Sequence, residues 1–538
     1  MKNITLLFIL AVTLTQAQQF TRKDSLKGGL AVERKCFDVK KYSLDIALDL
    51  EQKSICGSNT IRFAVTEKSK RIQLDLFANM VVDSIVYNKQ KLTYTREYDA
   101  VFVDFTTDLT PGISEYSLQF YYHGQPKIAA NAPWDGGFVF KTDGNGNPFI
   151  GVAVQGEGAS LWFPCKDSQS DEPDQGATMS FTVPTKLMAV SNGRFIGKFL
   201  VNASSVRWEW EVKNPINAYD ITLYVGDYVH FGENYKGLDL DYYVLRENEA
   251  KAKIQFAEVK PMLDCFQEKF GPYPFATDGF KLVEAPYLGM EHQSAVAYGN
   301  QFQKGYLGTD LSGTGKGLLF DFILVHESGH EWFGNSITAK DVADMWIHEG
   351  FTCYSESVYL ECTQNKETAL TYLNGLKKNV RNDRPILGTY GVKNEGSGDM
   401  YYKGALLLNT IRSFINNDER WWQILKNFST TFSHQIIDNQ NVIQFFSEQT
   451  GLELAPVFNQ YLAHKELPVL EWKLANKQLS FRWNCAEKGF NVPATFIIKG
   501  KEIRVNPTKN WKSISGKVKL KKDVAVKTTD FYILSKGL

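Results

Sequence analysis

From Tyr42 to about Tyr228 apolar and polar residues alternate. In YSLDIALDL the residues Tyr42, Leu44, Ile46, Leu48 and Leu50 fall on one face, and IRFAV and IQLDL repeat the pattern between polar, glycine-rich turns. A period of two belongs to half-buried strands, so this part predicts a large antiparallel sheet domain of roughly 200 residues. Around Asp239 the period changes. ENEAKAKIQFAEVKPMLDCFQEKFG opens a helical region that reaches about His464, interrupted by FKLVEAPYLGMEHQSAVAYGN, which reads as strands or extended chain. After Pro468 short strands return in LEWKL, LSFRW, ATFIIKG, EIRV and DFYIL, and they predict a small β-sandwich. The expected fold is multidomain α+β: an N-terminal antiparallel β domain over 18–238, a mixed α/β domain over 239–465 and a C-terminal β-sandwich over 466–538.

The first seventeen residues stand apart. A lysine precedes an apolar run from Ile4 to Leu14, and Thr15-Gln16-Ala17 follows, which predicts a secretory signal peptide cleaved after Ala17. About eleven apolar residues are too few to span a bilayer. No cysteine follows the cleavage position, as a bacterial-type lipid anchor needs, and no later stretch reaches transmembrane length. The expectation is an exported protein, periplasmic or extracellular, with no membrane span after cleavage. The 60 basic and 60 acidic side chains balance, which argues against a nucleic-acid partner. Lys512, Lys517, Lys519, Lys521 and Lys522 read as solvated strand faces rather than a binding patch. The seven cysteines (Cys36, Cys56, Cys165, Cys265, Cys353, Cys362, Cys485) contain no CxxC pair. They leave room for one or two disulfides, and Cys353 and Cys362 fit buried thiols on one helix.

The candidate chemistry lies in VHESGHEWFGN and MWIHEGFTCYSE. Positions i and i+4 of a helix are about 40° apart around the axis and about 6 Å apart along it. His326 and His330 can therefore reach one ion. Glu349, nineteen residues beyond His330, falls on a second helix expected from about Ala343 to Leu360. Two histidines, one carboxylate and a water make a catalytic zinc site, with one zinc per chain. Glu327, beside the pair, is placed as general base rather than ligand. The alternative is a buried helix with two satisfied histidines. It fits less well, because two of only eight histidines fall four apart around a glutamate with a third acid at usable distance. Two further segments stand out. Glu291 sits in the apolar, glycine-containing stretch YLGMEHQSAVAYG, and Tyr401 follows a glycine-rich lead into a helix, where a phenol could donate to a developing oxyanion.

HESGH with Glu349 nineteen residues on, LGMEH before it and YYKGA after it together resemble the gluzincin aminopeptidases of the aminopeptidase N and leukotriene hydrolase family. WFPCKDSQSDEP resembles that family's N-terminal-domain signature and FQEKFGPYPF the lead-in to its catalytic domain, so the likeness runs in order through nearly the whole chain. The resemblance implies a thermolysin-like catalytic domain that removes single residues from peptides with a free N-terminus. It implies zinc ligands His326, His330 and Glu349, general base Glu327 and transition-state tyrosine Tyr401. Glu291 matches the acid of the G-x-M-E-N motif, which holds the substrate's α-amine and to which Gly289 and Met290 belong as substrate-binding positions. Gln155 matches a second amine contact, and Glu356 a partner behind the ligands.

The chain departs from the family pattern at Leu288 and His292, in place of the motif's glycine and asparagine, and at His348, in place of the asparagine before the third ligand. Lys393 stands where the epoxide-hydrolysing branch has an aspartate, eight residues before the tyrosine. The larger helical C-terminal domain of longer relatives has no counterpart here, which implies a more open cleft that admits longer peptides. Two other functions use the same features: a thermolysin-like endopeptidase, disfavoured by Glu291, and an exported non-catalytic peptide-binding protein, disfavoured because all five principal positions match.

Overall fold

The computed structural model describes residues 19–112, 115–476, 478–515 and 520–538. The expected signal peptide, and Lys517 and Lys519, lie outside these residues. Lys512, Lys521 and Lys522 are exposed.

The alternating stretch forms three sheets rather than one. The largest has eight strands in the order Arg194–Leu200, Ser205–Val212, Ala177–Pro184, Phe37–Asp49, Ser54–Val65, Tyr116–Gly124, Met80–Tyr87 and Gln90–Lys91. Its neighbours are antiparallel except Phe37–Asp49 against Ala177–Pro184, which run parallel. Tyr42, Leu44 and Ile46 are buried while Asp45 between them is exposed, so the alternation marks the core face. A four-stranded sheet (Met188–Val190, Tyr224–Gly226, Pro148–Ala153, Gly137–Thr142) carries the chain toward the site: its strand Pro148–Ala153 ends two residues before Gln155.

The next unit combines a five-stranded sheet with helices. The sheet runs Tyr228–Tyr235, Leu238–Leu245, Phe280–Glu284, Val296–Tyr298 and Gly289–Met290. The boundary expected at 238 falls at the first residue of the strand Leu238–Leu245, whose hairpin partner Tyr228–Tyr235 belongs to the same sheet. The two glycine-motif residues thus form an edge strand beside the helix Phe322–Gly329. That helix begins only at Phe322. Leu318 and Leu319 lie in a short 3-10 turn and are exposed, because the Asp321 side chain accepts from Leu324 N and caps the helix there. The second helix spans Trp346–Thr363 and the third, after Tyr401, spans Tyr402–Ile415. Cys265 and Cys362 form a disulfide across a separation of 97 residues, tying Val259–Phe270 to the end of Trp346–Thr363. In the chain-entropy treatment a loop of that length is worth about 4–5 kcal/mol. Cys362 is therefore no free thiol, whereas Cys353 is free and buried.

The C-terminal strands make two facing sheets. One holds Lys512–Ser515, Gln478–Asn484, Val469–Ala475 and Leu534–Gly537; the other holds Lys501–Val505, Ala494–Ile498 and Val524–Lys527. Phe496 of the second packs its ring against Trp472 and Phe481 of the first, as the inner faces of a sandwich do. One continuous core joins the sandwich to the helices, and Tyr461 sits at the seam against Phe490 and Tyr532. Among the described residues no helix is long and apolar enough to cross a membrane.

Candidate active site

A cavity of about 350 Å³ opens where the N-terminal sheets meet the helical unit. It is lined by Gln155, Gly289, Met290, Glu291, His326, Glu327, His330, Glu349 and Tyr401, so every site residue expected from the sequence lies on one surface. Leu288 lines it too. His292 does not: its Nδ1 meets the Tyr224 hydroxyl at 2.6 Å, and the ring is buried against the N-terminal domain. His348 is also turned away, its Nε2 accepting from Ala339 N at 2.8 Å.

His326 and His330 leave the same helix one turn apart. His326 Nδ1 lies 2.7 Å from Glu356 Oε1, and Glu356 Oε2 accepts from the Tyr372 hydroxyl at 2.6 Å. His330 Nδ1 donates to the carbonyl of Phe333 at 2.9 Å. That carbonyl is available because the chain leaves helical geometry at Phe333 and Gly334, whose φ is 136°. With both Nδ1 atoms engaged, the Nε2 lone pairs are left for an ion. Glu349 Oε2 lies 3.6 Å from His326 Nε2 and 3.4 Å from His330 Nε2 and has no hydrogen-bond partner of its own among the described residues. Tetrahedral zinc with bonds of about 2.0–2.1 Å sets its ligands about 3.3–3.4 Å apart, so this donor set fits zinc. A second cluster of Glu291, Glu327 and His330 shares one histidine with the first and forms the facing wall.

Glu327 is buried beside Gly289. A β-carbon at Gly289 would stand 2.6 Å from Glu327 Oε1 and 2.9 Å from Ile323 Cγ2, so the close approach of strand to helix requires glycine there. Burial pushes the Glu327 carboxyl up to about 7, against the pull of the two imidazoles. A cation at the ligand cluster works in the same direction as the imidazoles. Tyr401 faces His326, ring centroids 6.1 Å apart. Its helix crosses the Glu349 helix where Gly404 meets Gly350: a β-carbon on Gly404 would stand 2.8 Å from Gly350 Cα. Burial first, then the Glu349 and Glu291 carboxylates, hold the Tyr401 phenol far above its ordinary range, so it stays protonated and able to donate.

Gln155 reaches in from the N-terminal unit. Its Nε2 donates to Glu291 Oε1 at 2.7 Å and to Glu349 Oε1 at 3.3 Å, leaving Oε1 to accept from a ligand. The loop that carries Glu291 is held from below by residues to which the sequence reading assigns no role. Asn335 Nδ2 donates to the Glu291 carbonyl at 2.7 Å, and Glu331 Oε1 accepts from Ser294 N at 2.9 Å. Tyr273, of FQEKFGPYPF, donates to Glu331 Oε2 at 2.8 Å. Three motifs quoted for the resemblance thus brace one another. Glu331 and Asn335 could be flagged as polar residues within an apolar helical run, whereas Tyr372 carries no local signal.

Together the β domain, the α/β unit and the His-His-Glu donor set define a gluzincin-type metal site. The matches to known families agree: residues 254–461 match the peptidase family M1 domain and residues 39–219 the peptidase M1 N-terminal domain, so the chain belongs to peptidase family M1. Aminopeptidase M1-B of Oryza sativa subsp. japonica is 24% identical over 470 residues, 83% of this chain and 52% of that protein. Probable aminopeptidase 1 of Sulfurisphaera tokodaii is 20% identical over 395 residues, 69% of this chain and 48% of that protein. The chain thus spans about half the length of these curated relatives. A crystal structure of the M1 zinc metallopeptidase from Deinococcus radiodurans superposes with a TM-score of 0.68 at 21% identity, covering 80% of this chain and 94% of that one.

Proposed function

We propose that this protein is a zinc aminopeptidase that hydrolyses the first peptide bond of peptides with a free N-terminus. The observation that carries this reading is Glu291, buried at one end of the ligand cluster and joined to it through Gln155. A carboxylate so placed is positioned to accept a substrate ammonium beside the ligand cluster. His326, His330 and Glu349 would hold a zinc ion, which would supply Lewis acidity toward the scissile carbonyl and the attacking water. Glu327 takes the proton from that water and delivers it to the departing amine nitrogen. Tyr401 donates to the oxygen that gains charge as the carbonyl carbon becomes tetrahedral. Glu291 and the Gln155 carbonyl oxygen hold the substrate ammonium, Gly289 and Met290 flank the bound first residue, and Glu356 orients His326 with Tyr372 behind it. The Cys265–Cys362 disulfide supports export to an oxidising compartment.

The test compares one peptide with its N-acetylated twin. The free peptide is expected to be cleaved at its first bond and the blocked one to be cleaved at least about a hundredfold more slowly, since losing a buried ion pair costs about 3 kcal/mol or more. Equal internal cleavage of both would instead identify an endopeptidase.

A further inference from the structure

Five carboxylates line the catalytic cavity, and among the described residues neither a lysine nor an arginine does. Three have partners: Glu349 faces the imidazoles, Glu356 pairs with His326 and Glu291 accepts from Gln155; Glu327, assigned as general base, has none among the described residues and stands over Gly289. The fifth, Glu395, has no hydrogen-bond or ion-pair partner among the described residues. Its cationic neighbours are committed elsewhere. Lys393 Nζ donates to the Glu157 carbonyl at 2.6 Å, and Arg384 Nη2 to the Gly396 carbonyl at 2.9 Å.

Glu395 also lines a smaller adjoining cavity, of about 50 Å³, and the residues common to both spaces are Gln155, Gly156, Met345 and Glu395. The passage between the cavities therefore starts at Gln155, one of the two groups assigned to the substrate amine. The first side chain leaves from the same carbon as that amine, so the mouth of this passage lies within its reach. An unbranched aliphatic stem suits the Met345 flank, and a cationic head then arrives at an unpaired carboxylate in a cavity without competing cations. Beyond the passage the lining carries both signs, Lys27, Lys340 and Lys393 alongside Asp167 and Asp341, so the unpaired acid shared with the catalytic cavity is Glu395. Burial, reinforced by Glu349 and opposed by Lys393, raises the Glu395 carboxyl, as befits an acid that lacks its counter-ion.

We propose that Glu395 is the specificity-determining residue of the first side-chain subsite and selects peptides that begin with lysine or arginine. The proposal rests on the aminopeptidase reading.

The test measures kcat/KM for the lysyl, arginyl, leucyl, alanyl and glutamyl coumarin amides with the wild type, E395Q and E395K, with a melting temperature for each protein. A charge-assisted hydrogen bond contributes about 1.5–3 kcal/mol, so lysyl and arginyl amides should lead leucyl by about tenfold or more. E395Q should erase that lead, bringing lysyl and arginyl kcat/KM down to about the leucyl value measured with the same variant, and E395K should favour glutamyl. A wild type that prefers glutamyl would assign the subsite to Lys340 and overturn the proposal. So would an E395Q loss spread equally over all five amides, which would place Glu395 on the amine instead. Turnover without any preference for basic residues removes only the subsite, whereas no turnover of any amide removes the aminopeptidase reading along with it.

Discussion

Glu327→Gln is expected to bind zinc like the wild type and to lose about a thousandfold or more in kcat, the upper part of the range for a positioned general base. The three proposed ligands do not include Glu327, and their supports run through Glu356, Tyr372 and the Phe333 carbonyl, none of which the substitution touches. The amide is nearly the same size as the carboxyl, so the close packing of Gly289 against this side chain is kept. What disappears is the buried acid proposed both to take a proton from water and to return it to the leaving nitrogen. The loss should fall on kcat, with KM little changed, because the proposed amine contacts at Glu291 and Gln155 stay in place. Wild-type turnover by the glutamine variant, with zinc bound, would move the base elsewhere.

Tyr401→Phe is expected to lower kcat by about 10²–10³-fold, or ~3 kcal/mol, the cost of removing one donor aimed at a developing oxyanion. Only the hydroxyl is removed. The ring that faces His326 remains, and the helix contact between Gly404 and Gly350 that sets its position is untouched, so folding stability should hardly change. Burial keeps the phenol protonated, so activity should show no titration attributable to Tyr401 through neutral and mildly alkaline pH. Parallel kinetics and melting curves check both parts. A variant with normal kcat, or one that fails because it unfolds, would remove Tyr401 from the reaction.

Local spacing makes the metal site legible in the sequence. His326, Glu327 and His330 share a helix, Glu349 lies on the next one, and helical geometry fixes their directions before any tertiary contact forms. Gln155 is different. It sits in a loop 136 residues from Glu291, with no periodicity to aim it, and only the family resemblance points to it. Glu395 has no signal at all, because what distinguishes it is the absence of a partner, which only the folded chain defines. The sheet boundary is hidden for another reason: the strand Tyr228–Tyr235 follows the N-terminal strands without a break in β character, and nothing local says which sheet it joins. The Cys265–Cys362 pair, 97 residues apart, is likewise settled by the packing of two helices.

The most direct measurement of the central claim follows metal and activity together. Purified protein is assayed for zinc and for release from an aminoacyl amide with a free amine, then stripped with a chelator, then restored with zinc. The account predicts about one zinc per chain, activity that falls with the metal, and recovery on restoration. Undiminished turnover by the stripped protein, or zinc-loaded protein inert toward a broad panel of aminoacyl amides, would contradict it.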